Sequence, residues 1–174
     1  MKKKKEPATL GYTKLLKQQK AEKEFWKAFG IDDPEQAPSH VNHVDFRYTL
    51  LTDEGLALMA TRIRSIEMLD LNGTAITNEG IKNLVQMEYI GELRLKECEQ
   101  IDNGCIQYLN QLHSLKLLYL KSTPVTIEGL MELKLANLEH LFFSSHQKEI
   151  QEGHLQILRK HLPKAELIID GKVY

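Results

Sequence analysis

The strongest constraint on this chain is that it repeats itself. Three Leu-x-Leu triplets, Leu69-Asp70-Leu71, Leu93-Arg94-Leu95 and Leu118-Tyr119-Leu120, are followed by related segments: Ile76-Thr77-Asn78-Glu79-Gly80, Ile101-Asp102-Asn103-Gly104 and Val125-Thr126-Ile127-Glu128-Gly129. The same register recovers Val44-Asp45-Phe46 upstream, then Leu141-Phe142-Phe143 and Leu167-Ile168-Ile169 downstream. Successive triplets begin 25, 24, 25, 23 and 26 residues apart, and Gly55, Gly80, Gly104, Gly129 and Gly153 recur at 25, 24, 25 and 24. A repeat of this length with a two-residue period in one half and a helical period in the other predicts a solenoid. No single unit can bury its apolar side alone, so the units must share one core.

The predicted fold class is therefore α/β: a short right-handed βα arc of five to six repeats over residues 41–174, its parallel sheet on the concave face. Residues 1–11, lysine-rich and punctuated by Pro7 and Gly11, are expected to form a disordered basic tail. Residues 12–40 are expected to hold a capping helix and a loop. The helix runs from Tyr12 to Phe29, with Phe25, Trp26 and Phe29 in one aromatic patch and Gly30 as its stop. A solenoid's first rung exposes core and strand edge, which favours a cap; a partner-docking helix is the alternative.

Within each repeat, the triplet leucines point inward and the middle and flanking residues point to the other face. Thr52, Thr77, Asp102 and Thr126 stand where helix N-caps are wanted, with Gln151 in their place in the last repeat. Leu56 and Met59, Ile81 and Leu84, Cys105 and Leu109, Leu130 and Leu133, and Leu155 and Leu158 are the expected core residues of the helical halves. Thr49, Thr74, Cys98, Thr123 and His146 recur three residues past each triplet, where a side chain can bond the turn's backbone.

Bulk composition narrows the function classes. The chain has 174 residues and a net charge of −1, but residues 1–28 hold nine lysines against three glutamates. The remainder carries 14 basic and 21 acidic residues. A mildly acidic body lacks the Lys and Arg that phosphate contacts require, so nucleic acid is not an expected partner. No apolar run approaches the roughly 18 to 20 residues needed to span a bilayer, so no membrane insertion is expected. The basic opening Met1 to Pro7 lacks the apolar stretch of a secretory signal and the Arg and Ser richness of a mitochondrial presequence. Two cysteines are too few for a disulfide framework. A cytoplasmic location follows as the expectation.

These residues resemble the leucine-rich-repeat superfamily, in particular its cysteine-containing type. The segment Leu93-Arg94-Leu95-Lys96-Glu97-Cys98-Glu99-Gln100-Ile101-Asp102-Asn103-Gly104-Cys105 looks like a rung of that type: strand, Cys, then an Ile-Asp-Asn step before the helix. The resemblance covers residues 43–170 and implies a binding scaffold rather than an enzyme. The rung at 93–109 and the closing Leu162-Pro163-Lys164-Ala165-Glu166-Leu167 also resemble the mitochondrial ATP synthase subunit s and distal membrane-arm assembly proteins. That second resemblance implies a small assembly factor.

No Gly-rich phosphate loop or nucleophile elbow is present. His40-x-x-His43 has no second ligand pair nearby, so no metal or cofactor is expected. Cys98 and Cys105 occupy positions that other repeats fill with Thr, Leu or Ile, which predicts packing roles. Asp45 and Asp70 fall on neighbouring strands about 4.8 Å apart, but an open strand surface implies no catalytic pocket.

The outward strand face is the candidate binding surface. Its middle column reads Asp45, Asp70, Arg94, Tyr119, Phe142, Ile168; the column before it includes Met68, Glu92, Leu117 and His140, and the one after includes Arg47, Lys96 and Lys121. Leu117, Tyr119, Phe142 and Ile168 make an apolar patch beside Arg94, Lys96 and Lys121, the composition enriched at interface centres. The patch could instead be covered by the C-terminal segment or a second copy. The sequence thus predicts a non-enzymatic protein-binding module anchored by Tyr119, Phe142, Arg94 and Met68, with Asp45 and Asp70 as an acidic end selecting a basic partner surface. An immunity protein sequestering a toxin and an assembly or scaffold factor of a multi-subunit complex are the narrower alternatives.

Overall fold

A computed structural model describes residues 7–145 and 150–174, without the side chains of 7–14. The first six residues of the expected basic tail and the recurring position at His146 therefore lie outside the described residues. The chain divides into two compact units, one ending at Pro38 and the other spanning Ser39–Tyr174.

In the first unit, helix α1 covers Pro7–Lys27, beginning five residues before the expected Tyr12. Proline is well suited to a helix start, where its missing N–H has no partner to lose, so Pro7 opens the helix rather than punctuating a tail. At its other end Gly30 takes φ 73°. The Gly30 N–H bonds Lys27 O and the Ile31 N–H bonds Trp26 O, the two bonds of a Schellman close. Phe25, Trp26 and Phe29 form one cluster, with ring centroids 5.1 to 5.9 Å apart. Asp33 then caps a short 3-10 turn over Pro34–Gln36.

The second unit is a mixed α/β structure built on a seven-stranded sheet in chain order. Strands β1 (His40–Asp45), β2 (Ser65–Asp70), β3 (Tyr89–Arg94), β4 (Leu117–Leu120), β5 (His140–Phe143) and β6 (Glu166–Ile169) are all parallel. The register is the one the triplets require: Val44, Leu69, Leu93, Leu118, Leu141 and Leu167 are successive partners. The inward residues of every triplet, from Val44 and Phe46 to Leu167 and Ile169, are buried. Each such aliphatic side chain removed from water contributes about 1.5–3 kcal/mol.

The connections return on the other side of this core through α2 (Asp53–Arg62), α3 (Asn78–Leu84), α4 (Ile106–Leu109), α5 (Ile127–Leu130) and α6 (Glu152–His161). All ten expected helical-half core residues are buried. In the middle repeats the helix is a single turn, and before α4 the residues Asn103–Cys105 form a 3-10 turn. Strand β7 (Lys172–Val173) is an addition: it pairs antiparallel with β6 through a two-residue turn at Asp170-Gly171, with φ 50° and 82°. Positive φ at both turn residues suits the right-handed twist of a hairpin.

The turns repeat as strictly as the strands. Thr49, Thr74 and Thr123 donate hydroxyls to the carbonyls of Phe46, Leu71 and Leu120 at 2.7, 2.8 and 2.9 Å. The Cys98 thiol instead reaches Leu71 O of the preceding repeat at 3.1 Å. Immediately before each of these stands a left-handed residue: Tyr48, Gly73, Glu97 and Ser122, with φ between 55° and 65°.

Helix starts are joined across repeats. Thr52, Thr77, Asp102 and Thr126 cap their own helices as expected. The residue after each of the first three caps then bonds the next repeat's cap. Asp53 accepts the Thr77 N–H (2.9 Å) and hydroxyl (2.7 Å), Asn78 grips Asp102, and Asn103 accepts the Thr126 N–H (2.8 Å). This accounts for three of the five recurring glycines, Gly80, Gly104 and Gly129. A Cβ on Gly80 would fall 2.5 Å from Asp53 Oδ1, on Gly104 2.7 Å from Asn78 Nδ2, and on Gly129 2.2 Å from Asn103 Oδ1. In the fourth repeat the bridging position is Ile127, and Gly153 in α6 has nothing within 4 Å of its Cβ site.

Gly129→Ala should accordingly destabilise the protein by about 1–3 kcal/mol by displacing the Asn103 bridge. Gly153→Ala should stabilise it by about 0.5–1 kcal/mol through helix propensity. Urea denaturation of the two variants checks both; a shift of equal sign would show that the bridge does not set the glycine.

Candidate functional site

The strand parity that buries the leucines places the alternate residues on the opposite sheet face. Tyr119 and Phe142 are register partners on β4 and β5, both half-buried, and their rings stack with centroids 4.8 Å apart and planes 21° from parallel. Leu117 and Ile168 are half-buried beside them. Strand β7 lies alongside β6 and brings Val173, 63% exposed, opposite Ile168. The C-terminal segment thus extends the apolar row in the sheet plane.

The positive residues beside the patch are engaged to different degrees. Arg94 Nη2 donates to Glu92 at 2.9 Å, while its Nε is buried without an acceptor. Lys96 Nζ lies 2.9 Å from Glu97 Oε1. That carboxylate raises the Lys96 pKa, and Lys96 together with the Tyr48 hydroxyl holds Glu97 below the usual range. Lys121 is half-buried and has no ion-pair partner among the described residues. Met68 is half-buried on β2, and exposed His140 places Nδ1 3.5 Å from Glu166 Oε2.

The proposed acidic end is different from expectation. Arg47 Nη2 and Nε clamp Asp45 at 2.7 to 3.1 Å, and Arg47 Nε also lies 3.7 Å from Asp70. Asp70 is only 3% exposed and accepts the Asn72 N–H. One guanidinium, on the residue immediately after the triplet, therefore lies against two carboxylates, of which Asp70 is buried. Asp45 can meet a partner only as half of an ion pair. The Arg47 side chain, followed by its backbone N–H, lowers the Asp45 pKa to about 2.

Among the described residues, the one His–carboxylate pair placed on this face is His140 and Glu166, register partners on adjacent strands and both exposed. Asp45 and Asp70 share an arginine, and among the described residues no group of three or more His, Cys, Asp or Glu side chains is placed to hold a metal. His40 Nδ1 meets Ser65 Oγ at 2.9 Å, and His43 is exposed. Burial raises both thiol pKa values, that of Cys105 to about 12. The face also carries two features that parity leaves unassigned. The Arg47 clamp is signalled only by an i, i+2 Asp–Arg spacing, and β7 by the Asp170-Gly171 dipeptide between Ile169 and Lys172, a hairpin signal.

Comparison with known proteins adds one relationship. The chain is 30% identical over 115 residues to ATP synthase subunit s, mitochondrial, of Bos taurus, and 30% and 31% identical over 114 residues to the same protein of Mus musculus and Rattus norvegicus. The matches cover 62% of this chain and 57% of each relative, so the chain spans little more than half the length of the curated relatives it matches. No family model matches it. By their name, these relatives are subunits of the ATP synthase. The similarity corrects the cytoplasmic expectation, since the relatives are mitochondrial proteins. Among the described residues no helix is long and apolar enough to cross a membrane.

The Asp45 carboxylate should titrate near 2 in the folded protein, below its ordinary 3.8. A lowered folded-state pKa makes the pair's stabilisation complete above about pH 4 and lost as pH falls through about 2. Side-chain carboxyl NMR should show this, and Arg47→Leu should return the midpoint toward the ordinary value. Both buried thiols should resist iodoacetamide in the native protein and react once it is unfolded.

Proposed function

We propose that this chain is a non-enzymatic accessory or assembly component of a multi-subunit mitochondrial complex, docking a protein subunit on the outward face of its sheet. The scaffold is read as a leucine-rich-repeat solenoid of the cysteine-containing type, whose repeat length, in-register strands and Thr or Cys turn ladder match that pattern. The observation that carries the docking reading is the stacked, half-buried Tyr119–Phe142 pair held on a sheet face away from the core. Aromatic side chains combine large area with few rotatable bonds, and with Arg they dominate binding energy at interface centres. Leu117 and Ile168 widen the patch, Arg94, Lys96, Lys121 and His140 border it, and Met68 lies two strands from Leu117 with Glu92 between them. The Arg47-clamped Asp45 and buried Asp70 serve as structure rather than as an acidic recognition end.

The similarity to ATP synthase subunit s supports membership of a large assembly and a mitochondrial location. The proposed partner class is accordingly a subunit of such a complex, and the ATP synthase is the first assembly to test.

A tagged chain expressed in cells should fractionate with mitochondria and co-migrate with a multi-subunit assembly on native gels. The Tyr119→Ala/Phe142→Ala double variant should keep its melting temperature within a few degrees and lose about 2 kcal/mol or more of binding, roughly 30-fold in affinity. Co-migration unchanged in the double variant would remove the docking face from this reading.

A further inference from the structure

We draw no further inference here: the strongest candidate, the apolar row of Tyr119, Phe142, Ile168 and Val173 on the outward sheet face across strands β4–β7, belongs to the docking face already described, and nothing in the structure shows what covers it.

Discussion

Every repeat must bring its strand back to hydrogen-bonding distance from the last one without slipping by a residue. In a sheet with a period of two, a slip of one would exchange Leu118 for Tyr119 and Leu141 for Phe142 between the faces. The cost is a whole row of leucines moved into water. The fully buried column Leu69, Leu93, Leu118, Leu141, Leu167 therefore does more than supply core volume. By holding the register it also decides that an aromatic pair faces outward.

This explains which parts of the structure are legible in the sequence. Strand register, the inward residues of the helical halves and the Thr and Asp caps each follow from a local rule that recurs several times, so every repeat checks the others. What is not legible depends on contacts between repeats. The glycine period is visible in the sequence, but its cause is an Asx side chain from the preceding repeat lying where a Cβ would be. The left-handed column is hidden because Gly73 is its one glycine, the other three places being taken by Tyr48, Glu97 and Ser122.

At the candidate face, parity assigns Asp70 to the outward side and leaves its burial unsaid. Asp70 is 3% exposed, and Arg47, just past the end of the neighbouring strand, reaches both carboxylates. The same mechanism thins the useful charge elsewhere: Arg94 turns to Glu92 and Lys96 to Glu97, whereas Lys121 beside the aromatic pair is not tied down. A column of charges read from sequence thus overstates what a visitor meets. The apolar members of the face survive this reduction better, because no neighbour can neutralise them.

The Asx bridges have a direction. Asp53, Asn78 and Asn103 each complete a cap that lies later in the chain, so every helix start waits only on a segment already synthesised. On a ribosome, each emerging repeat would find its template in place and none would stall for a part still in the exit tunnel. At Ile127 the relay ends, and the last helix sets its own start through the His154 ring instead.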